Sequence, residues 1–242
     1  MFYPTSLTDD FNNDLKNLGK LFIKKNKLKI GKNVLIGKNV SIGKGTFIGH
    51  NTIIENNVVI GDNCSIGSNV ILRNSIIKKN VHILDGCIIG NKGFGFFPNK
   101  NINFRYPHIG YVIINDNCEI GAGSTIDRGS LSFTSIGKNT FFDNQVHIGH
   151  NVHIGKDCII SAQVAIGGST KIYNNVILGG QSGIIDNLEI HDNAIVGPKS
   201  FIVKSVKEGS YVSGNPAMPH KDNIKKNIFL SKLPEIYKDL LK

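Results

Sequence analysis

No stretch of about 18 apolar residues runs anywhere in the 242-residue chain, which excludes a transmembrane helix. Met1 to Asp14 is polar, carries Asp9, Asp10 and Asp14, and lacks the apolar stretch that heads a secretory signal. Cysteine is scarce too. Cys64, Cys87, Cys118 and Cys158 show no CxxC or zinc-finger spacing. They are also too few and too scattered to staple a chain of this length. Buried, reduced thiols in a cytoplasmic protein are the expectation. Negative charge is in deficit: 28 Lys and Arg face 18 Asp and Glu, for a net charge of +10. With 40% apolar residues the chain has enough hydrophobic material for one large domain with a small appendage, so global disorder is excluded.

What the chain has is a six-residue period. Ile30, Ile36, Ile42, Ile48, Ile54, Ile60, Ile66 and Leu72 recur every six positions, and Gly follows six of these eight anchors. Ile77, Ile83 and Ile89 continue after a one-residue slip, and Ile114, Ile120 and Ile126 form a third run. A fourth runs unbroken from Ile136 through Phe142, Ile148, Ile154, Ile160 and Ile166 to Ile202. An amphipathic helix would repeat every 3.6 residues and a half-buried strand every 2. A hexad of one aliphatic anchor followed by Gly- and Asn-rich turn residues is the pattern of a parallel β-helix, in which three hexads close one triangular turn of 18 residues. Gly and Asn suit the corners because they adopt positive φ at least cost. The twenty-six anchors predict between eight and nine turns over residues 30–208.

Three segments depart from the period. Residues 1–29 are expected to form an N-terminal arm or helix. Residues 91–112, rich in Gly and aromatics, are expected to leave a corner as a loop or hairpin, and residues 129–133 as a smaller bulge. Beyond Ile202 the pattern dissolves into a C-terminal extension, 209–242. There an amphipathic helix is predicted from about 221 to 241, kinked or split by Pro234, with Ile224, Ile228, Leu233, Ile236, Tyr237 and Leu240 as its apolar residues. The charge gathers at the two ends: residues 1–32 carry seven Lys against three Asp, and residues 199–242 nine Lys against four acids. Basic ends would suit nucleic acid, an anionic membrane surface or an acidic protein, although a composition biased to Lys, Asn and Ile explains much of this charge.

A prism has flat faces and no deep cleft, so a site is expected between neighbouring copies, walled by the loops thrown from the corners. His147, His150 and His153 suggest a metal cluster at first sight. Residues six apart sit on successive faces of a triangle, so no metal site is expected from them. His150 has an internal control, because Ile48-Gly49-His50-Asn51 repeats as Ile148-Gly149-His150-Asn151. Stacking at 18 places Gly168 and then Asp186, with Asn187 beside it, above His150. Asp143, seven residues before His150, is expected near the preceding corner and could orient the imidazole. A base, an orienting carboxylate and a backbone N–H are the parts of acyl transfer. Cys158 falls on another face from His150, which excludes a thiol nucleophile.

Several strings, in order, resemble one family. They are Gly90-Asn91-Lys92-Gly93-Phe94-Gly95-Phe96; Tyr106-Pro107-His108-Ile109-Gly110; Ser124-Thr125-Ile126-Asp127-Arg128-Gly129-Ser130; Asp143-Asn144-Gln145 through His150-Asn151; and Gly214-Asn215-Pro216-Ala217-Met218-Pro219. From about residue 30 to 240 the chain is similar to the UDP-3-O-acylglucosamine N-acyltransferases of lipid A biosynthesis. The resemblance implies an all-β fold, a left-handed parallel β-helix of hexapeptide repeats with a short N-terminal arm and a C-terminal helical tail. It implies a cytoplasmic homotrimer. The reaction it implies is transfer of a 3-hydroxyacyl chain to the 2-amine of a UDP-linked, 3-O-acylated glucosamine. The donor is the 4'-phosphopantetheine thioester of acyl carrier protein, with no separate cofactor. By the same resemblance His150 is the catalytic base, Asp143 its partner and Gly168 the N–H facing the thioester oxygen. Substrate contacts are expected from His147, Asn151, Asn187, Phe94 and Phe96. Acyl carrier protein is acidic, so the basic tail would steer it, and nucleic acid is not an expected partner. The chain departs from the family in three ways: few residues precede the first turn where the family has a uridine-binding domain, Asp186-Asn187 stands where Gly-His is usual, and His147 and His108 stand where Gln is usual. An acetyl-CoA-dependent N-acetyltransferase of nucleotide-linked amino sugars and a non-catalytic β-helix binding module are the alternatives.

Overall fold

Each hexad needs only two inward side chains, the anchor and the residue two before it. Pairs such as Val146 with Ile148, Val152 with Ile154, Cys158 with Ile160 and Val164 with Ile166 are buried together. Stacked on equivalent pairs one turn above and below, they fill a narrow interior. Where Thr takes the inner position, as at Thr46, Thr52 and Thr140, its hydroxyl donates to a carbonyl of the next turn, so the buried oxygen is satisfied. The four cysteines occupy the same kind of position, buried and unpaired with one another. Burial raises all four thiols, those of Cys87, Cys118 and Cys158 to about 11.

A computed structural model describes residues 28–97 and 102–240. Short strands, most of them two residues long, stack into three parallel sheets around the core. The first sheet runs from Lys29–Ile30 to Tyr211–Ser213, with Met218–Pro219 added antiparallel at its end. The second runs from Leu35–Ile36 to Phe201–Ile202, and the third from Ser41–Ile42 to Glu189–Ile190. Register follows the period: His147 pairs with Ala165, Ala165 with Gly183 and Gly183 with Phe201. The corners turn through left-handed backbone, and most of the non-Gly residues there are Asn, from Asn33 to Asn193. Their amides stack in ladders, as from Asn33 to Asn51 and from Gln181 through Gln163 to Gln145.

The coil is longer than its anchors foretell. After Ile202 one hexad is two residues short. Val206 still bridges to Ile190, and Val212 pairs with Val196, so the winding continues to Ser213. A shortened step hides these two residues from a fixed period. The segment 1–29 lies outside the described residues except for its end, where Lys29–Ile30 is already a strand. Residues 91–112 leave the corner between the second and third sheets and carry a hairpin, Phe96–Phe97 against Phe104–Arg105. The shorter excursion at 128–132 leaves the same corner one turn on, between Thr125–Asp127 and Phe133–Ile136. The C-terminal helix, α1, spans His220–Leu240 and runs through Pro234 without a break. The helix is exposed there, so water can serve the carbonyl that proline leaves unpaired.

Candidate active site

His150 sits at the corner between the second and third sheets, on the turn directly above the two excursions. His50 lies at a different corner, between the first and second sheets. There its Nδ1 accepts the Lys32 N–H at 2.8 Å. That bond belongs to a general device of this coil. At corner after corner, a side chain accepts the N–H of the residue one turn below: Ser68 takes that of His50, Asn56 that of Lys38, Asn144 that of Ala122 and Asn174 that of Lys156. At His150 the device fails, because the residue stacked above is Gly168, which has no side chain. Above Gly168 stands Asp186, whose carboxylate accepts from the Asn187 amide instead. Among the described residues the Gly168 N–H therefore has no acceptor.

The missing side chain also makes room for the imidazole. A Cβ on Gly168 would stand 2.8 Å from both Cε1 and Nε2 of His150, so the ring lies against the glycine. The proton on that ring is assigned by its neighbour. Asn151 Oδ1 accepts the Ser130 N–H at 3.0 Å and the Ser130 hydroxyl at 2.9 Å. An oxygen that accepts there can only accept from His150 Nδ1, 3.1 Å away. Nδ1 therefore carries the hydrogen, and Nε2 holds the lone pair beside Gly168.

The other side of His150 is closed by the large loop. A Cβ on Gly93 would fall 2.7 Å from His150 Cβ and 2.7 Å from His108 Nε2, so only glycine fits between the two histidines. His108 is buried, its ring 5.0 Å from that of His150. Its Nδ1 donates to the Tyr106 carbonyl at 3.0 Å, which leaves Nε2 unprotonated and without a partner among the described residues. Burial lowers its pKa and keeps it neutral.

A cavity of about 380 Å³ opens in front of His150, lined by Phe94, Asp127, His147, Gly168, Gly183 and Phe201 among others. Its floor is the outward column of the second sheet. There His147 gives way to Ala165 and Gly183 before Phe201 closes the far end, so two small residues make an apolar trough about two strand spacings long. His147 is held by Thr125 Oγ1 at 2.7 Å, and partial burial lowers its pKa. Asp127 is 6% exposed, and burial raises its carboxyl from 3.8 to about 6 against the opposing pull of Arg105.

The structure thus brings His150, Gly168, His147, Asn151 and Phe94 together. Asn151 turns inward to hold Ser130 and His150, and its oxygen is taken up by those bonds. Asn187 stacks above the site, its N–H on the Gly168 carbonyl. Phe96 packs edge-on to Phe94, 4.9 Å away, behind the cavity wall. Asp143 is not with His150. It lies at the corner between the first and second sheets, at the other end of the strand His147–Ile148. Its carboxylate accepts the Asn144 N–H, and it lines a separate groove with Leu84, Phe141 and Ile159. Seven residues in this fold span one whole face, so within one copy the pair does not meet. Asp127, Ser130 and the Ala165–Gly183–Phe201 column carry no sequence-based assignment. The column is legible by stepping 18 from His147, but Asp127 and Ser130 lie below an insertion that resets the count.

These features define a class, a hexapeptide coil that sets one imidazole beside a backbone donor with no acceptor among the described residues. Residues 39–74 and 133–168 match the family described as "Bacterial transferase hexapeptide (six repeats)", and 58–91 and 111–129 the "Hexapeptide repeat of succinyl-transferase". These segments of the chain are similar to the hexapeptide repeats of bacterial transferases. The chain is also similar to proteins named UDP-3-O-acylglucosamine N-acyltransferase. It is 55% identical to that of Microcystis aeruginosa over 63% of this chain and 44% of that protein. It is 49% identical to one from Gloeobacter violaceus, over 64% and 45%. A Bradyrhizobium relative is 55% identical over 31% of this chain and 21% of its own length, so the chain spans less than half of the curated relatives it matches. Among solved structures it is similar to the UDP-N-acetylglucosamine acyltransferase of Francisella novicida, at TM-score 0.72 and 25% identity over 86% of this chain and 78% of that one. The UDP-N-acetylglucosamine O-acyltransferase of Moraxella catarrhalis follows at 0.60 and 29%, over 87% and 81%. The fold is a left-handed parallel β-helix.

Proposed function

We propose that the chain transfers a 3-hydroxyacyl group from an acyl carrier protein thioester to the 2-amine of a UDP-3-O-acylglucosamine, in the cytoplasm, as a step of lipid A biosynthesis. The amine nitrogen attacks the thioester carbonyl while His150 Nε2 takes its proton. The Gly168 N–H donates to the oxyanion that forms. Collapse expels the thiolate, which the His150 imidazolium protonates, so no covalent acyl-enzyme is needed. Asn151 holds the tautomer throughout. The observation that carries this reading is the Gly168 N–H, which no described residue accepts, on the same glycine that His150 Nε2 lies against. The trough over Ala165 and Gly183 supports a long acyl chain over an acetyl group.

Assembly as a homotrimer completes the site in this reading. Phe141, Ile159, Ile177, Ile195 and Tyr211 form an outward apolar ladder in register on the first sheet, each about 40% exposed. A second copy is the occupant that suits a flat, uncharged sheet face on a triangular prism. Asp143 lies at the foot of that ladder, so a copy seated there would offer its own His150 to this Asp143. The basic helix α1 remains outside for the acidic carrier protein. None of the described helices is long and apolar enough to cross a membrane. Replacing His150 with Ala is expected to lower acyl transfer by about 10²–10⁴. His50→Ala is the matched control at the other corner and should leave activity unchanged. Activity of His150→Ala within tenfold of the parent removes the assignment.

A further inference from the structure

Asp127 is the one buried carboxylate lining the cavity, and among the described residues nothing satisfies it. No described residue donates a hydrogen bond to it, and no ion pair includes it. The nearby cations are committed or withdrawn. Arg105 gives its Nη2 to the Gly93 carbonyl at 2.8 Å and lies 5.2 Å over the Phe96 ring. The Arg128 Nε is buried without a partner among the described residues, yet forms no pair with Asp127. His147 is engaged by Thr125, and His150 by Asn151. A structural carboxylate buried to this degree is normally surrounded by donors, because an ionised one left unpaired is costly. This one instead lines the same cavity as the base and the unpaired Gly168 N–H.

We propose that Asp127 is the receptor for the acceptor's ammonium group, a cation-specific subsite that selects an amino sugar in its protonated form. The inference rests on the amine-acylation reading above. An amine is largely protonated when it arrives from water, and it must lose one proton before it attacks the thioester and a second as it attacks. Asp127 accepts the first and His150 the second. The proton on Asp127 leaves through the cavity mouth once the amide has formed, because the uncharged amide no longer competes for it. A carboxyl raised to about 6 is a competent acceptor for this purpose near neutral pH, whereas one at 3.8 would hold the proton too weakly. The subsite also rejects hydroxyl or already acylated sugars, because these bring no charge to match the carboxylate.

The test is a binding measurement without donor, on the assembled full chain. Calorimetry would compare UDP-glucosamine, with its free 2-amine, and UDP-N-acetylglucosamine. The parent protein is expected to bind the free amine about ten- to a hundredfold more tightly, as for a charge-assisted contact. Asp127→Asn, nearly isosteric, is expected to abolish that preference by weakening only the free-amine sugar. Equal affinities in the parent protein, no binding of either sugar, or an undiminished preference in Asp127→Asn each overturn the subsite. The larger reading fails separately: if the amine preference holds and vanishes in Asp127→Asn, yet no donor thioester supports transfer, the ammonium subsite stands and the acyltransferase assignment falls.

Discussion

Gly168→Ala tests the site with a single methyl group. The glycine does not sit in left-handed backbone, so alanine can adopt its conformation without strain. The loss of freedom in the unfolded chain even favours the variant by about 0.4–1 kcal/mol. The cost falls on the imidazole. The new Cβ would lie 2.8 Å from Cε1 and Nε2, where ordinary contact begins near 3.4 Å, so ring and backbone must part by about 0.6 Å. The ring has little room to retreat. Its Nδ1 is tied to Asn151, and Gly93 and His108 close the far side. A misplacement approaching 1 Å costs about 10²-fold in a reaction that depends on alignment. The N–H of residue 168 survives the substitution, so the oxyanion donor is retained. A fall in kcat of about 10- to 100-fold is therefore expected, with little change in KM for the nucleotide sugar and no fall in melting temperature. The assay is transfer from an acyl carrier protein thioester, followed by product mass, alongside thermal circular dichroism. Activity within threefold of the parent in a folded variant would refute the claim that His150 works from its seat on this glycine.

Two further outcomes follow from the same geometry. If Asp143 serves the His150 of a neighbouring copy, co-expressing the inactive Asp143→Ala and His150→Ala chains restores activity in mixed trimers, to about a quarter of parental sites under random assembly; no recovery above the single variants dismisses the pairing. Asp127→Asn is expected to stabilise the fold at pH 8 by up to about 3 kcal/mol, the cost of ionising a carboxyl raised from 3.8 to about 6. Between pH 4 and 6 the folded state holds a proton that the unfolded chain has released, so parental stability declines as pH rises and the penalty is complete above 6. Urea melts should show the variant's advantage shrinking as pH falls towards 4, and a gain independent of pH would contradict the buried, unpaired state of Asp127.

The coil was legible because its signal is arithmetic. One anchor every six residues survives substitution of everything between, so the three sheets, the inward anchors and the Gly168 position above His150 all follow from counting. Counting failed where the step changed length. Val206 and Val212 are hidden by a hexad two residues short, and the neighbours of Asp127 by insertions that carry no period at all. Within one copy, Asp143 shows a subtler limit of counting. Proximity in sequence suggested a partner for His150, but in a triangular coil seven residues cross a whole face, and the group that meets Nδ1 is the adjacent Asn151. His108 could not be placed beside His150 by any spacing, since the loop that carries it folds back on its own packing of Gly93, Arg105 and Tyr106.

Both excursions leave from a single edge of the prism, one turn apart and immediately beneath the base. The ladder of rungs is undisturbed by either, because each rung pairs only with the one above and the one below. Whatever is spliced into that edge alters the mouth of the cavity while the stack beneath keeps its dimensions. Such an architecture separates selectivity from foldability: new clientele can be admitted by rewriting a fringe, at little expense to the scaffold that holds the imidazole in place.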